Sequence, residues 1–461
     1  MTRDKRLRAD LTEGPLLSKI ILFSLPLIAT AVLQLLFNTA DIIVVGRWGG
    51  STPEECEIAL AAVGSCGSLA NLIVQLFMGL SVGAGVCVAH EIGAKRQSEL
   101  ESVVHTSVIA ALICGVLVTV FGLLFARPLL IAMKTDPAVL DEAVLYMRAY
   151  FCGMPASMMY NYCASMLRSA GDTVRPLRFL SVAGVVNVGF NLIMVLVFHL
   201  GAVGVGIATA ASQWVSCVLI LRFMFHTDGP CRLEWRAMHV DPTKLRKILY
   251  IGLPAGIQGS LFSLSNVLIQ SSINSFGKVV VAGNTAASNL DAYIYATQNS
   301  LHHAALTFVG QNVGARKHDR VRKSLLYCTI VVAVVGLGVG SIMYLFGENL
   351  LGIYAPHNPE VIEAGMIRLA LFGLTYFLCG LMEVGSGAMR GLGRSIAPMI
   401  VSLVGSCVFR IVWIYTIFAA HHSLLVLYLS YPLSWFLTTA VHFLCCFLVI
   451  RQNEKRDQIH E

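Results

Sequence analysis

Charge is what this sequence has least of: Asp, Glu, Lys and Arg make up 13% of its 461 residues, about half the share in soluble domains. With a hydrophobic fraction of 56% and a mean hydropathy of +0.73, the chain has too little polar surface to cover a water-soluble globule. Cysteines in CxxC or CxxH spacing are missing as well. The thirteen present fall mostly in apolar stretches and read as small packing residues, neither a disulfide frame nor a metal site. Forty glycines form no GK[ST] phosphate loop, and His302 and His303 stand outside any HExxH context. With no nucleophile and base in motif spacing, nothing points to an enzyme or to a resident cofactor. The start MTRDKRLRADLTEG is basic, but no short apolar core with a small-residue cleavage site follows it, so it reads as a cytoplasmic tail.

What is abundant is apolar sequence in long runs. Windows of about nineteen residues separated by polar punctuation give about twelve transmembrane spans. They fall near 17–46, 60–90, 102–126, 138–166, 179–199, 203–226, 247–276, 281–310, 325–347, 361–388, 397–420 and 424–450. The expected fold is therefore an all-α polytopic membrane protein whose first partner is the lipid bilayer. A net charge of +7 does not signal nucleic acid, because the basic residues collect on alternate loops. One side holds Arg3, Lys5, Arg6 and Arg8, then Lys95 and Arg96, and finally Arg451, Lys455 and Arg456, while the opposite loops offer only Arg47, Arg127, Lys134 and Lys278. That asymmetry places both termini in the cytoplasm.

The chain also repeats itself. LRSAGDTVRP, ending at Pro176, aligns with MRGLGRSIAP, ending at Pro398, at an offset of 222 residues. EIGAKR from Glu91 matches NVGARK from Asn312 at 221, DPAVLDEA from Asp136 matches NPEVIEAG from Asn358 at 222, and Pro26 stands opposite Pro254 at 228. Two six-helix lobes are expected, 1–226 and 246–461, joined by a cytoplasmic linker over 227–245. Duplicating an even number of spans makes the repeats parallel, a usual arrangement for alternating access.

Within this apolar background a few polar residues stand out. Asp41, in LFNTADIIVVG, follows almost unbroken apolar sequence. An ionised carboxylate in a span is costly, so it faces the bundle interior and either pairs or takes up a proton; the alternative is a helix cap at the water boundary. Asn187 and Asn191, one turn apart, present both amides on one helix face, and Thr209 lies in the next span. Asn161 is a further candidate for the same polar cavity. The repeat sets Glu383 opposite Asn161, and Arg410 on the following span is its natural ion-pair partner, in either a structural or a functional role. The segment 281–310 is too polar for a lipid face, which makes Asn284, Asp291, Gln298 and Asn299 candidates for lining a substrate cleft.

These motifs in this order, from the LP-bearing first span and LFNTADIIVVG through RSAGDT, LTFVGQNVGAR and MRGLGRS, resemble the multidrug and toxic compound extrusion (MATE) family over essentially the whole chain. The resemblance implies twelve helices in two pseudo-symmetric lobes. It also implies export of small organic compounds, cations prominent among them, by antiport with inward-moving H+ or Na+. A cation site of the N-terminal lobe then maps onto Asp41, Asn187, Asn191 and Thr209, with Na+ an alternative to the proton at Asp41. Some members carry Asp where Asn191 stands, so here Asp41 alone bears the charge. The resemblance further implies a monomer in the cytoplasmic (inner) membrane, with Pro26 as the bend of the first helix. The rival within the same superfamily is a lipid-linked oligosaccharide flippase, whose strongly cationic cavity has no counterpart in the sparse, mixed charges found here.

Overall fold

Equivalent signals begin and end helices in both halves of the computed structural model, which describes residues 10–50, 52–354 and 358–460. Asp136 and Asn358 are both N-caps, accepting from the backbone N–H of Ala138 at 2.9 Å and of Val361 at 3.4 Å, and a proline follows each. Lys95 and Arg316 turn the chain at equivalent corners with φ of 56° and 55°, and Gly171 and Gly393 do so with φ of 86° and 80°. The sequence repeat is thus largely a repeat of helix ends.

In chain order the helices are α1 (Leu16–Trp48), α2 (Pro53–Gly93), α3 (Gln97–Ala132), α4 (Pro137–Phe151), α5 (Met154–Ser169), α6 (Val174–Leu192), α7 (Gly201–His226) and α8 (Pro242–Asn274). Then come α9 (Lys278–Gly314), α10 (His318–Leu345), α11 (Gly347–Tyr354), α12 (Pro359–Thr375), α13 (Phe377–Gly391), α14 (Ile396–Ser402), α15 (Phe409–Trp413) and α16 (Leu424–His460). Short π-helical segments follow α6, α14 and α15, at Ile193–Val197, Leu403–Val408 and Ile414–Phe418. No strand occurs among the described residues.

Among the described residues nine helices are long and apolar enough to cross a membrane, and α12 with α13, bent by 48°, makes a tenth if the pair is one span. The other two expected spans are helical but do not meet that standard. The first is split into α4 and α5, and the second, α9, carries Asn284, Asp291, Gln298 and His302, all turned into protein. Arg3, Lys5, Arg6 and Arg8 lie outside the described residues.

The described chain packs as two units: Ala29–Gly256, and Asp10–Ile28 together with Ile257–Glu461. Both divisions fall two residues beyond a proline inside a helix, Pro26 in α1 and Pro254 in α8. Each of these helices changes unit where proline removes a backbone hydrogen bond.

In the first unit α5 packs on α2, α3 and α7 around Val45, Phe151, Met154 and Met158. The start of α8 lies so near α2 that a Cβ on Gly83 would stand 2.8 Å from the backbone N of Gly252. At the same end the buried Glu91 pairs with Lys244 at 3.5 Å and Lys247 at 3.9 Å. In the second unit α9 is central, packed by α10, α12 and α13. There the segment just ahead of α1 is held by its backbone: Asn312, Lys317 and Arg320 donate to the carbonyls of Leu11, Thr12 and Gly14 at 3.3, 3.0 and 3.1 Å.

Candidate functional site

Four polar residues expected to act together do meet in the first unit. Asn191 donates its amide to the Asp41 carboxylate, and the Thr209 hydroxyl also bonds that carboxylate. Asn191 donates to Asn187 Oδ1 at 3.3 Å, and Asn187 in turn reaches the Thr209 hydroxyl at 3.5 Å. One turn of α6 supplies both asparagines, and the π-helical segment begins two residues after Asn191, a break in register of the kind common at functional sites. Tyr146 and Tyr150, stacked at 6.3 Å on α4, stand within electrostatic reach of Asp41.

Two features give this cluster chemical capacity. Asn187 and Asn191 are buried, whereas Asp41 is partly open, so the carboxylate is reachable from outside the packed core. The Oδ1 of Asn191 is buried with no hydrogen-bond partner, although an acceptor shut away from water is normally satisfied. A carboxylate, a hydroxyl and amide oxygens are the donor set of a hard cation, and a lone carboxylate in apolar surroundings also suits a proton. Asn161 does not join by hydrogen bonding: its amide donates to Ser157, to the carbonyl at 2.8 Å and the hydroxyl at 3.4 Å.

In the second unit the structure redraws the expected arrangement. The anticipated ion pair between Glu383 and Arg410 is absent among the described residues. Glu383 meets His302 instead, Oε2 to Nδ1 at 3.0 Å, and Arg390 donates to the far side of the ring, Nε2, at 3.2 Å. Because a guanidinium only donates, Nε2 must accept, which puts the His302 proton on Nδ1, facing Glu383. Arg410 donates from Nε to the Ser434 hydroxyl at 2.9 Å and lies over the rings of Tyr431 at 4.1 Å and Trp435 at 5.7 Å. Aromatic faces supply there the negative potential that a carboxylate was expected to provide.

The expected cleft residues of α9 are also differently employed. Asp291 and Asn284 are buried and engaged by Arg368, Nε to the Asp291 carboxylate at 2.7 Å and NH1 to Asn284 Oδ1 at 2.7 Å. Tyr428 donates to the same Asn284 oxygen at 3.0 Å. Gln298 is fully buried with neither amide atom bonded, hemmed in by Gly336 and Gly380, and only Asn299 stays half-buried. Arg368, Arg390 and the aromatic set Phe372, Tyr428, Tyr431 and Trp435 were missed from the sequence. A signal existed: Arg368 is an unremarked arginine inside an expected span, and the repeat aligns it with Tyr146, at the very place where the first unit keeps Asp41 company.

An all-helical fold with nine or ten helices long and apolar enough to cross a membrane among its described residues, in a chain duplicated in sequence, is that of a polytopic membrane protein. The MatE family model matches residues 26–193 and 254–416, and the chain belongs to that family, the MATE transporters. Among its relatives are the probable multidrug resistance protein YoeA of Bacillus subtilis, 26% identical over 83% of this chain and 82% of the relative. Another is the multidrug resistance protein PmpM of Pseudomonas aeruginosa, 25% identical over 87% of this chain and 83% of the relative. Solved structures share the fold. An outward-facing multidrug resistance MATE transporter of the MOP superfamily superposes with a TM-score of 0.89 at 23% identity, over 99% of each chain. A MOP superfamily transporter from Pyrococcus furiosus gives 0.89 at 23% identity, over 96% of this chain and 98% of its own.

Proposed function

We propose that this transporter exports small organic compounds, cations among them, from the cell by antiport with inward-moving H+ or Na+ through alternating access. The observation that carries the reading is the Asp41 cluster: one reachable carboxylate bonded to Asn191 and Thr209, beside an amide oxygen of Asn191 with no partner. In this reading the coupling cation loads at Asp41, with Asn187, Asn191 and Thr209 as its surroundings. When Asp41 is neutralised, its hydrogen bonds to Asn191 and Thr209 weaken and the second half of α1 shifts about Pro26. By linkage, cation and drug then bind with opposing preference. The lobes 1–226 and 246–461 act as the two moving modules, in a monomer seated in the cytoplasmic membrane with both termini inside. The multidrug resistance names of relatives such as YoeA and PmpM support drug-like cargo.

The test is transport of a fluorescent organic cation in proteoliposomes under a proton gradient or a sodium gradient imposed separately, with Asp41→Asn beside wild type. Wild type should respond to one of the gradients, and the variant should bind the dye yet lose gradient-driven movement. Normal transport by Asp41→Asn would remove Asp41 from the coupling step.

A further inference from the structure

The stretch joining the two repeats carries the most exposed tryptophan of the described residues, and carries it on a rigid mount. Cys231 and Leu233 are buried, and the Leu233 N–H donates to the Met224 carbonyl of α7 at 2.9 Å. The next residue, Glu234, donates its N–H to Nε2 of the buried His105 on α3 at 3.2 Å. Trp235 then opens a single 3-10 turn, Trp235–Ala237, closed by the Ala237 N–H on the Glu234 carbonyl at 3.0 Å. On that fixed backbone the Trp235 side chain stands 78% exposed, with Phe225 beside it at a ring distance of 5.7 Å. Most of the indole is left uncovered by the described residues.

What covers it follows from the length of α7. Its 26 residues rise about 39 Å, against about 30 Å of bilayer hydrocarbon, so its last turn stands among the lipid head groups. Phe225 is one residue from the end of α7, which sets Trp235 level with those head groups, the zone where an amphipathic indole is favoured. Charge then selects among head groups. The two acids between Arg222 and Val240, Asp228 and Glu234, both pair with Arg232, at 3.9 and 3.4 Å. Arg222, on the same face of α7 as Phe225, and Arg236, next to Trp235, are exposed and have no carboxylate partner among the described residues. Their apolar stems can lie along the rings while the guanidiniums reach phosphate.

We infer that the stretch joining the repeats is docked on the bilayer: the Trp235 indole lies among the lipid head groups on its side, and Arg222 and Arg236 take the phosphate of an anionic phospholipid beside it. That lipid is a partner of the join between the repeats. The inference rests on the membrane-spanning fold and is independent of cargo and coupling cation.

The experiment places the full-length protein in phosphatidylcholine nanodiscs doped with a lipid brominated high on its acyl chain, either phosphatidylglycerol or phosphatidylcholine. Quenching of Trp235 is read as the difference in emission between wild type and Trp235→Phe. Both lipids should quench it, and phosphatidylglycerol should do so at a mole fraction about five-fold or more lower, the worth of one arginine near an anionic surface. Arg222→Gln combined with Arg236→Gln should bring the two lipids within about two-fold of each other while quenching by brominated phosphatidylcholine persists. Trp235 emission that neither lipid quenches, and that acrylamide quenches as freely as tryptophan in water, would put the indole in solution and overturn the docking. Equal quenching by the two lipids in wild type, or a phosphatidylglycerol preference that survives the double substitution, would overturn the anionic site. Should the double variant not fold, salt decides on wild type: the preference must shrink between about 0.05 and about 0.5 M, and a preference indifferent to salt refutes the arginine contact.

Discussion

Asp291 and Arg368 form a buried ion pair between α9 and α12, carboxylate to Nε at 2.7 Å, with the guanidinium lying 4.4 Å over the Phe372 ring. Such a pair is asymmetric in its energetics, because removing one partner strands the other charge. Asp291→Asn or Arg368→Met should each destabilise the protein by about 3–5 kcal/mol, and the double variant should recover much of that loss. Denaturant titration in detergent, run as a double-mutant cycle, reads the coupling; additive single effects would contradict a direct pair.

Asn191 ties Asp41 to Asn187 through one amide group. Asn191→Ala should reduce gradient-driven transport about ten-fold or more while dye binding persists, and Asn187→Ala, one step further from the carboxylate, should cost less. Initial transport rates compared with equilibrium dye affinity check both claims.

Asp241, just ahead of α8, accepts from the backbone N–H of Thr243 at 2.8 Å and Lys244 at 3.2 Å and from the Ser102 hydroxyl at 3.2 Å. The backbone N–H of Lys244 foremost, then those of Thr243 and the Ser102 hydroxyl, hold this carboxyl below the usual carboxylate range, outweighing what burial adds. A depressed folded-state value means the contribution is present above the unfolded value of about 3.9 and is lost as pH falls through the folded one. Asp241→Ala should therefore melt below wild type at pH 7, and the gap should close as the medium is acidified below about pH 4. Melting temperature against pH measures this, and a gap constant with pH would contradict it.

Inside helices, glycine matters where another backbone comes close. A Cβ on Gly283 of α9 would stand 2.7 Å from the backbone N of Gly365 in α12, whereas one on Gly338 of α10 meets nothing within 4 Å. Gly283→Ala should destabilise by about 1–3 kcal/mol. Gly338→Ala should be neutral or stabilising by up to about 1 kcal/mol. The same denaturant titration separates the two.

Residues bound by local rules were the legible ones. The repeat could be read because helix ends obey backbone chemistry, with Asp136 and Asn358 as caps and Lys95 and Arg316 as left-handed corners. Asp41 stood out because a carboxylate in an apolar run is rare, and Asn187 and Asn191 share a helix face by spacing, but their grouping with each other and with Thr209 came from the family resemblance. The interior of the second unit was not. An arginine in a span has several ways to be satisfied, and the choice among a carboxylate, an imidazole and an aromatic face is made by packing. Glu383 and Arg410 were matched as the two obvious charges, but His302 came between Glu383 and Arg390, while Tyr431 and Trp435 took Arg410. Asn284 and Asp291 of α9, expected to line a cleft, are buried and occupied by Arg368, whose place in the pattern was overlooked.

The change of unit within α1 and α8 sets an order of events during synthesis. Asp10–Ile28 leaves the ribosome before any of the helices it packs with, while Ala29–Gly256 stays incomplete until the start of α8 has been made. The first half of the repeat therefore cannot finish folding before the second half has begun to appear. A nascent chain stopped in the linker would hold an orphaned helix start at one end and an open face awaiting residues 242–256 at the other. Two halves expressed from separate messages face the same requirement, since each must receive a helical turn or more from its counterpart before either is whole.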